Sequence, residues 1–187
     1  MLICEVDKMK KLIILFIFAW EILGYGTEQG DITYEVRAGI QVNIVLDNVH
    51  FLDMEAGKFF GLDVYKRVSG RLDLGLGAQY NTVESTKFEG TASEEAITIT
   101  RMPIYAVAKL HLAQTFFLNP YFKILAGYQV MLDADVEGLE NGSYYGAGIG
   151  IELGDFVLDY MYTAEENKGD SQYRGSVGHA LALGYRF

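Results

Sequence analysis

Three histidines, His50, His111 and His179, are the side chains of this 187-residue chain best suited to moving protons near neutral pH. His50 has acids on either side of it, Asp47 and Asp53. His111 sits beside a short connection, and His179 lies in an apolar row with no acid close in sequence. A hydrolytic site also needs a nucleophile and an orienting partner. No segment carries such a motif, so no catalytic residue is assigned and the chain is not read as an enzyme. The acids Asp47, Asp53, Glu55, Glu84, Glu89, Glu94, Glu95, Asp133, Asp135, Glu137, Glu140, Glu165, Glu166 and Asp170 raise cation binding as an alternative. "DADVEGLENG" (133–142) has alternating acids and a glycine at its sixth position. Its twelfth position is Tyr144 where a calcium loop carries Glu, and no helices flank it. These residues are therefore read as solvated acidic loops, with no metal or cofactor expected.

The charge balance excludes another class. The formal net charge is −10, and a nucleic-acid partner would require a basic face. The N-terminus reads as an export signal over residues 1–26. Lys8, Lys10 and Lys11 precede the apolar run "LIILFIFAW" (12–20), and Gly24-Tyr25-Gly26 is a small-x-small cleavage site. Met9 is an alternative start. The run is too short to cross a bilayer as a helix. Removing it leaves the net charge unchanged and takes away Cys4, the only cysteine, so disulfides and thiol chemistry are not expected in residues 27–187.

Those residues must be positioned by strands. Glycine and aromatics are abundant, with only two prolines, and period-two alternation recurs eight times, over 32–44, 60–68, 71–80, 101–112, 121–130, 144–153, 156–162 and 173–187. In the first segment Tyr34, Val36, Ala38, Ile40, Val42 and Ile44 share one face, with Glu35, Arg37, Gly39, Gln41 and Asn43 on the other. Ile97 and Ile99 fall out of phase with the apolar row that starts at Met102, which predicts either a bulge or a strand already clear of the membrane. Connections alternate between short (Ser69-Gly70, near 113–119, Gly154-Asp155) and long and polar (near 45–58, 81–96, 131–142 and 163–173). Such alternation is the pattern of a transmembrane barrel with short turns at one end.

Either face could be the inner one. In a soluble, lipocalin-like barrel the apolar row points inward; in a membrane barrel it meets lipid. The polar row mixes many glycines with Arg37, Asp63, Arg67, Arg71, Asp73, Arg101, Lys109, Lys123, Glu152, Asp159 and Arg186. Small residues beside long paired charges suit a narrow interior filled by side chains. The apolar row carries Tyr34, Tyr80, Phe122, Tyr128, Tyr145, Phe156, Tyr162, Tyr185 and Phe187 near segment ends, which fits interfacial girdles, and no lysine or arginine is expected in it. The fold expected is an all-β, eight-stranded antiparallel up-and-down transmembrane barrel.

With its signal, eight alternating segments and closing "LALGYRF" (181–187), the chain resembles the small eight-stranded outer-membrane β-barrels of Gram-negative bacteria, the OmpA/OmpX type. In that family the last strand ends in Phe with apolar residues at alternate upstream positions, a signal read by the barrel-assembly machinery. Leu181, Leu183, Tyr185 and Phe187 match it. The resemblance implies an outer-membrane location, with outer-membrane lipid and lipopolysaccharide as surroundings. The expected role is structural, adhesive or surface-interactive, with an extracellular ligand held by the acidic loops. "NIVLDNVHFLDMEAGKFF" (43–60) is a candidate adhesive loop. A lipid A-modifying enzyme and a narrow, low-conductance pore remain the alternatives.

Overall fold

A computed structural model describes residues 32–46, 51–85, 97–112, 118–134, 141–167 and 175–187. The proposed signal segment and His50 lie outside the described residues. Eight strands, β1 (Ile32–Leu46), β2 (Phe51–Ser69), β3 (Leu72–Ser85), β4 (Ile97–His111), β5 (Asn119–Ala134), β6 (Gly142–Leu153), β7 (Phe156–Asn167) and β8 (Gly175–Arg186), pair antiparallel in chain order and close by β8 returning to β1. Among the described strands no edge is left free.

The strands outrun the alternating segments at the end opposite the short turns. β2 begins at Phe51, so Asn43 to Leu46 pair with residues 51–55 and most of the expected adhesive loop at 43–60 is hairpin ladder. β3 likewise runs to Ser85, β5 to Ala134 and β7 to Asn167. Ladder hydrogen bonds join backbones and persist after the apolar row has ended, which is why side-chain alternation underestimates strand length.

Following the register sideways from Val36 through Leu62, Ala78, Ile104, Tyr128, Ser143, Glu166 and Gly175 returns to β1 at Leu46, ten residues higher. A shear of ten over eight strands, at 3.3 Å rise and 4.8 Å spacing, tilts the strands by about 40° and sets a backbone radius of about 8 Å. Such a barrel holds side chains and little else.

Alternation decides which side chains those are. Leu62, Ile124, Ile149, Leu158, Leu181 and Leu183 stand exposed on the outer row while their neighbours in sequence are buried. Ile99 belongs to the inner row with Arg101 and is buried. β4 is unbroken there. The irregularity is in β5, where Thr100 pairs with Asp133 but Arg101 with Met131, leaving Leu132 as the bulged residue. The β3–β4 pairing also lapses between Ala78↔Ile104 and Asn81↔Arg101, with the register kept, across Pro103, which brings no N–H to the ladder.

The expectation that no cation faces lipid is corrected. Lys58 and Lys66 share the outer row of β2 with Phe60, Leu62 and Val64. With the observed shear, Lys66 stands about 7 Å below Val36 along the barrel axis and Lys58 about 13 Å above it, near the two aromatic girdles. A lysine costs about 2–4 kcal/mol at the midplane but close to nothing at an interface, where its head reaches water.

Candidate functional site

The inner row assembles a charge network in the half of the barrel nearer the short turns. β1 supplies Glu35 and Arg37, β2 Asp63 and Tyr65, β4 Tyr105 and Lys109, β5 Tyr121 and Lys123, β6 Glu152 and β7 Asp159, each two residues from the next inward position of its strand. Asp63 is the hub. Its carboxylate lies 2.9 Å from Arg37 Nη2 and 3.0 Å from Lys123 Nζ, and it accepts hydrogen bonds from Tyr65 Oη at 2.9 Å and Tyr105 Oη at 2.8 Å. Lys123 Nζ also reaches Asp159 at 3.1 Å and Glu35 at 3.6 Å. Tyr121 donates its hydroxyl to Asp159. Lys109 Nζ bridges Glu35 at 2.6 Å and Glu152 at 3.2 Å, and stands 4.5 Å and 4.4 Å from the ring centroids of Tyr65 and Tyr121.

Nearer the short turns, Arg186 Nη1 meets Glu152 at 2.6 Å. Asp73 is held by Arg67 Nε at 2.5 Å and by His111 Nε2 at 2.8 Å. The cations Arg37, Lys109, Lys123, Arg186 and Arg67 match the anions Glu35, Asp63, Asp159, Glu152 and Asp73 one for one. Such balance is what a low-dielectric interior requires, since an unmatched buried charge is far more costly than a pair.

Above the network the interior changes character. Phe59, Leu125, Tyr144, Met161, Ala180 and Ala182 form an apolar collar. Gln41, Asn81 and Thr163 follow, linked by long amide and hydroxyl contacts. Higher still are Arg101 and Glu165, an ion pair to which Ser176 Oγ adds a hydrogen bond at 3.1 Å. Gly77 permits this packing, because a Cβ there would collide with the Tyr105 ring and the Asp63 carboxylate.

Ten of the eleven charges expected inside, Arg37, Asp63, Arg67, Asp73, Arg101, Lys109, Lys123, Glu152, Asp159 and Arg186, stand on the inner row. Arg71 does not. It occupies the β2–β3 turn and is exposed; its backbone carbonyl accepts from the His111 N–H at 2.8 Å and its own N–H donates to Ser69 Oγ at 3.4 Å. The turn takes in Gly70 and Arg71, so the inner row of β3 starts two residues after Arg71, at Asp73. Arg71→Ala is accordingly expected to leave the urea midpoint within the noise of a surface substitution, about 0.5 kcal/mol or less. A larger fall in an unfolding titration would contradict its placement in the turn. Glu35, Glu165 and His111 were not among the expected interior groups. Glu35 and His111 share parity with Arg37 and Lys109. Glu165 lay beyond the point where alternation of β7 fades.

At the β1–β8 seam, Phe187 prolongs the ladder. Its N–H donates to Tyr34 O and its carbonyl accepts from Tyr34 N–H, both at 2.9 Å, and its ring stacks on Tyr34 at 5.8 Å. Leu181, Leu183 and Tyr185 stand with it on the outer row, and Tyr185 meets Phe156 edge-on at 5.5 Å. His179, also on this row, contacts Tyr160 and Tyr162.

No protein-family model and no curated protein matches the chain. Solved structures do. The attachment invasion locus protein Ail of Yersinia pestis is similar at 17% identity and TM-score 0.53, over 86% of this chain and 100% of that one. The neisserial surface protein NspA is similar at 13% and 0.52, over 82% and 95%. The outer-membrane enzyme PagL is similar at 12% and 0.54, over 81% and 98%. The fold is that of the small eight-stranded outer-membrane barrels. Within that fold the neighbours include an attachment protein and an enzyme, so the architecture is common to more than one role.

Proposed function

We propose that this chain is an outer-membrane barrel whose role is interaction at the cell surface, without catalysis and without conduction. The observation carrying this reading is the filled interior: a matched charge network, an apolar collar and an upper ion pair succeed one another along the axis. What remains for function is the outer surface and the end bearing the long connections. The connecting sequences 86–96 and 135–141 are strongly acidic, with Glu89, Glu94, Glu95, Asp135, Glu137 and Glu140 against Lys87. A partner recognised there would present a cationic surface, and electrostatic complementarity would govern its on-rate. PagL keeps the enzyme alternative in view. Against it, His179 contacts two tyrosines and no acid among the described residues, and His111 is engaged by Asp73 deep at the short-turn mouth. The row Leu181, Leu183, Tyr185 and Phe187 is proposed as the segment read by the assembly machinery.

In a planar bilayer the purified barrel is expected to give no discrete current steps. Replacing 86–96 and 135–141 by two-residue Asn-Gly turns should leave heat-modifiable gel mobility intact and abolish surface attachment of expressing cells. Stable channels in the wild type, or undiminished attachment after both replacements, would defeat the reading.

A further inference from the structure

One polar cluster faces lipid. His179 is exposed on the outer row of β8, between Val177 and Leu181. Its Nδ1 lies 2.7 Å from Tyr160 Oη. The Tyr160 ring stacks on the imidazole at 5.9 Å and 26°, and the Tyr162 ring meets it edge-on at 5.3 Å and 62°. These contacts fix the ring and leave Nε2 with no partner among the described residues. A hydrogen-bonding atom turned toward hydrocarbon without a partner is costly. The surroundings at that height must supply one.

The register gives the height. His179 Cα stands about 12 Å above Val36 along the axis, level with Tyr80, Tyr128 and Tyr145 in the upper aromatic girdle, where headgroups begin. Lys58 is exposed at the same level on β2. It pairs with Ile40 while His179 pairs with Val42, so the two flank β1 on one face with Cα atoms about 12 Å apart. The flexible lysine stem can bend toward the imidazole across Ile40. Glu166, an exposed acid on the outer row of β7, stands about 7 Å higher.

We propose that His179 and Lys58 hold a phosphate of an outer-leaflet glycolipid of the lipid A kind. Tyr160 donates its hydroxyl to Nδ1, which sets the tautomer, and Nε2–H donates to a phosphate oxygen. Lys58 supplies the positive charge, and the acyl chains lie over Ile40, Leu181 and Leu183 below. The proposal rests on the outer-membrane location read above.

The test uses the full barrel refolded in phosphatidylcholine vesicles containing a low fraction of lipid A, with lipid A retained per barrel measured by mass spectrometry after mild extraction. His179→Phe and Lys58→Met are each expected to retain roughly tenfold less, the size of one charge-assisted hydrogen bond. Dephosphorylated lipid A should bind the wild type no better than it binds the variants. Heat-modifiable mobility is read in parallel, so a folding defect in one variant is recognised and the other decides. Equal retention by wild type and a folded variant overturns the proposal, as does equal retention of dephosphorylated lipid A or of phosphatidylglycerol. A wild-type barrel that failed to insert would instead overturn the location reading, and this proposal with it.

Discussion

Replacing Asp63 with alanine is expected to lower the urea midpoint of the folded barrel by about 2 M, corresponding to about 3–5 kcal/mol. The carboxylate is fully buried and receives four groups within 3.0 Å: Arg37, Lys123, Tyr65 and Tyr105. Without it, Arg37 and Lys123 face only Glu35 and Asp159, with Glu35 shared with Lys109, and two phenol hydroxyls lose their acceptor. Removing one member of a buried network leaves its partners charged and dry, which costs more than the pair contributed. Asp63→Asn keeps the shape and an acceptor and should fall between the two. The double variant Asp63→Ala, Lys123→Met restores the count of charges and should recover part of the loss, a non-additivity that an unfolding titration in a double-mutant cycle reads directly. A single Asp63→Ala variant as stable as the wild type would show that the network is not what holds the interior.

Deleting Phe187 is expected to remove most of the protein from the membrane fraction of expressing cells, while barrel refolded from denaturant in detergent stays close to the wild type. The residue contributes two ladder hydrogen bonds to Tyr34 and one stacked ring. Their loss amounts to about 1–3 kcal/mol, less than the Asp63 effect and too little to unfold a closed barrel. Phe187→Ala keeps the backbone pairing and removes the ring. If recognition during assembly depends on the aromatic ring, this substitution should lower membrane levels nearly as far as the deletion. Normal membrane levels of the truncated chain in quantitative blots would end the assembly reading of Leu181, Leu183, Tyr185 and Phe187. A large loss of refolded stability would relocate the role of Phe187 to seam closure.

Much of this molecule was legible before any coordinate. Period-two alternation is a local property, and it places Arg37, Asp63, Lys109, Lys123 and Asp159 on one face and Val36, Leu62, Ala108, Ile124 and Leu158 on the other without knowledge of neighbours. The mixture of glycine with long charges on the first face then implies a narrow interior. Strand ends were less legible. Val45-Leu46 and Phe51-Leu52 are apolar in succession, which breaks the period-two pattern where the β1–β2 register shifts and makes the outer ends of these strands read as loop. Arg71 failed for the opposite reason: its parity was right, but the turn begins before it.

The amino-acid sequence by itself therefore determined the number of strands, their faces and the sign of the outer surface, because each depends on residues one or two apart. Tertiary structure alone decided which charges meet. Asp63 and Lys123 are 60 positions apart, and Arg37 and Asp159 are 122 apart. Closure and a shear of ten bring them to one height, and no short-range pattern encodes that number. The same closure placed Lys58 and His179 on either side of β1, at opposite ends of the described chain, because β8 and β2 become neighbours of one strand only when the barrel shuts.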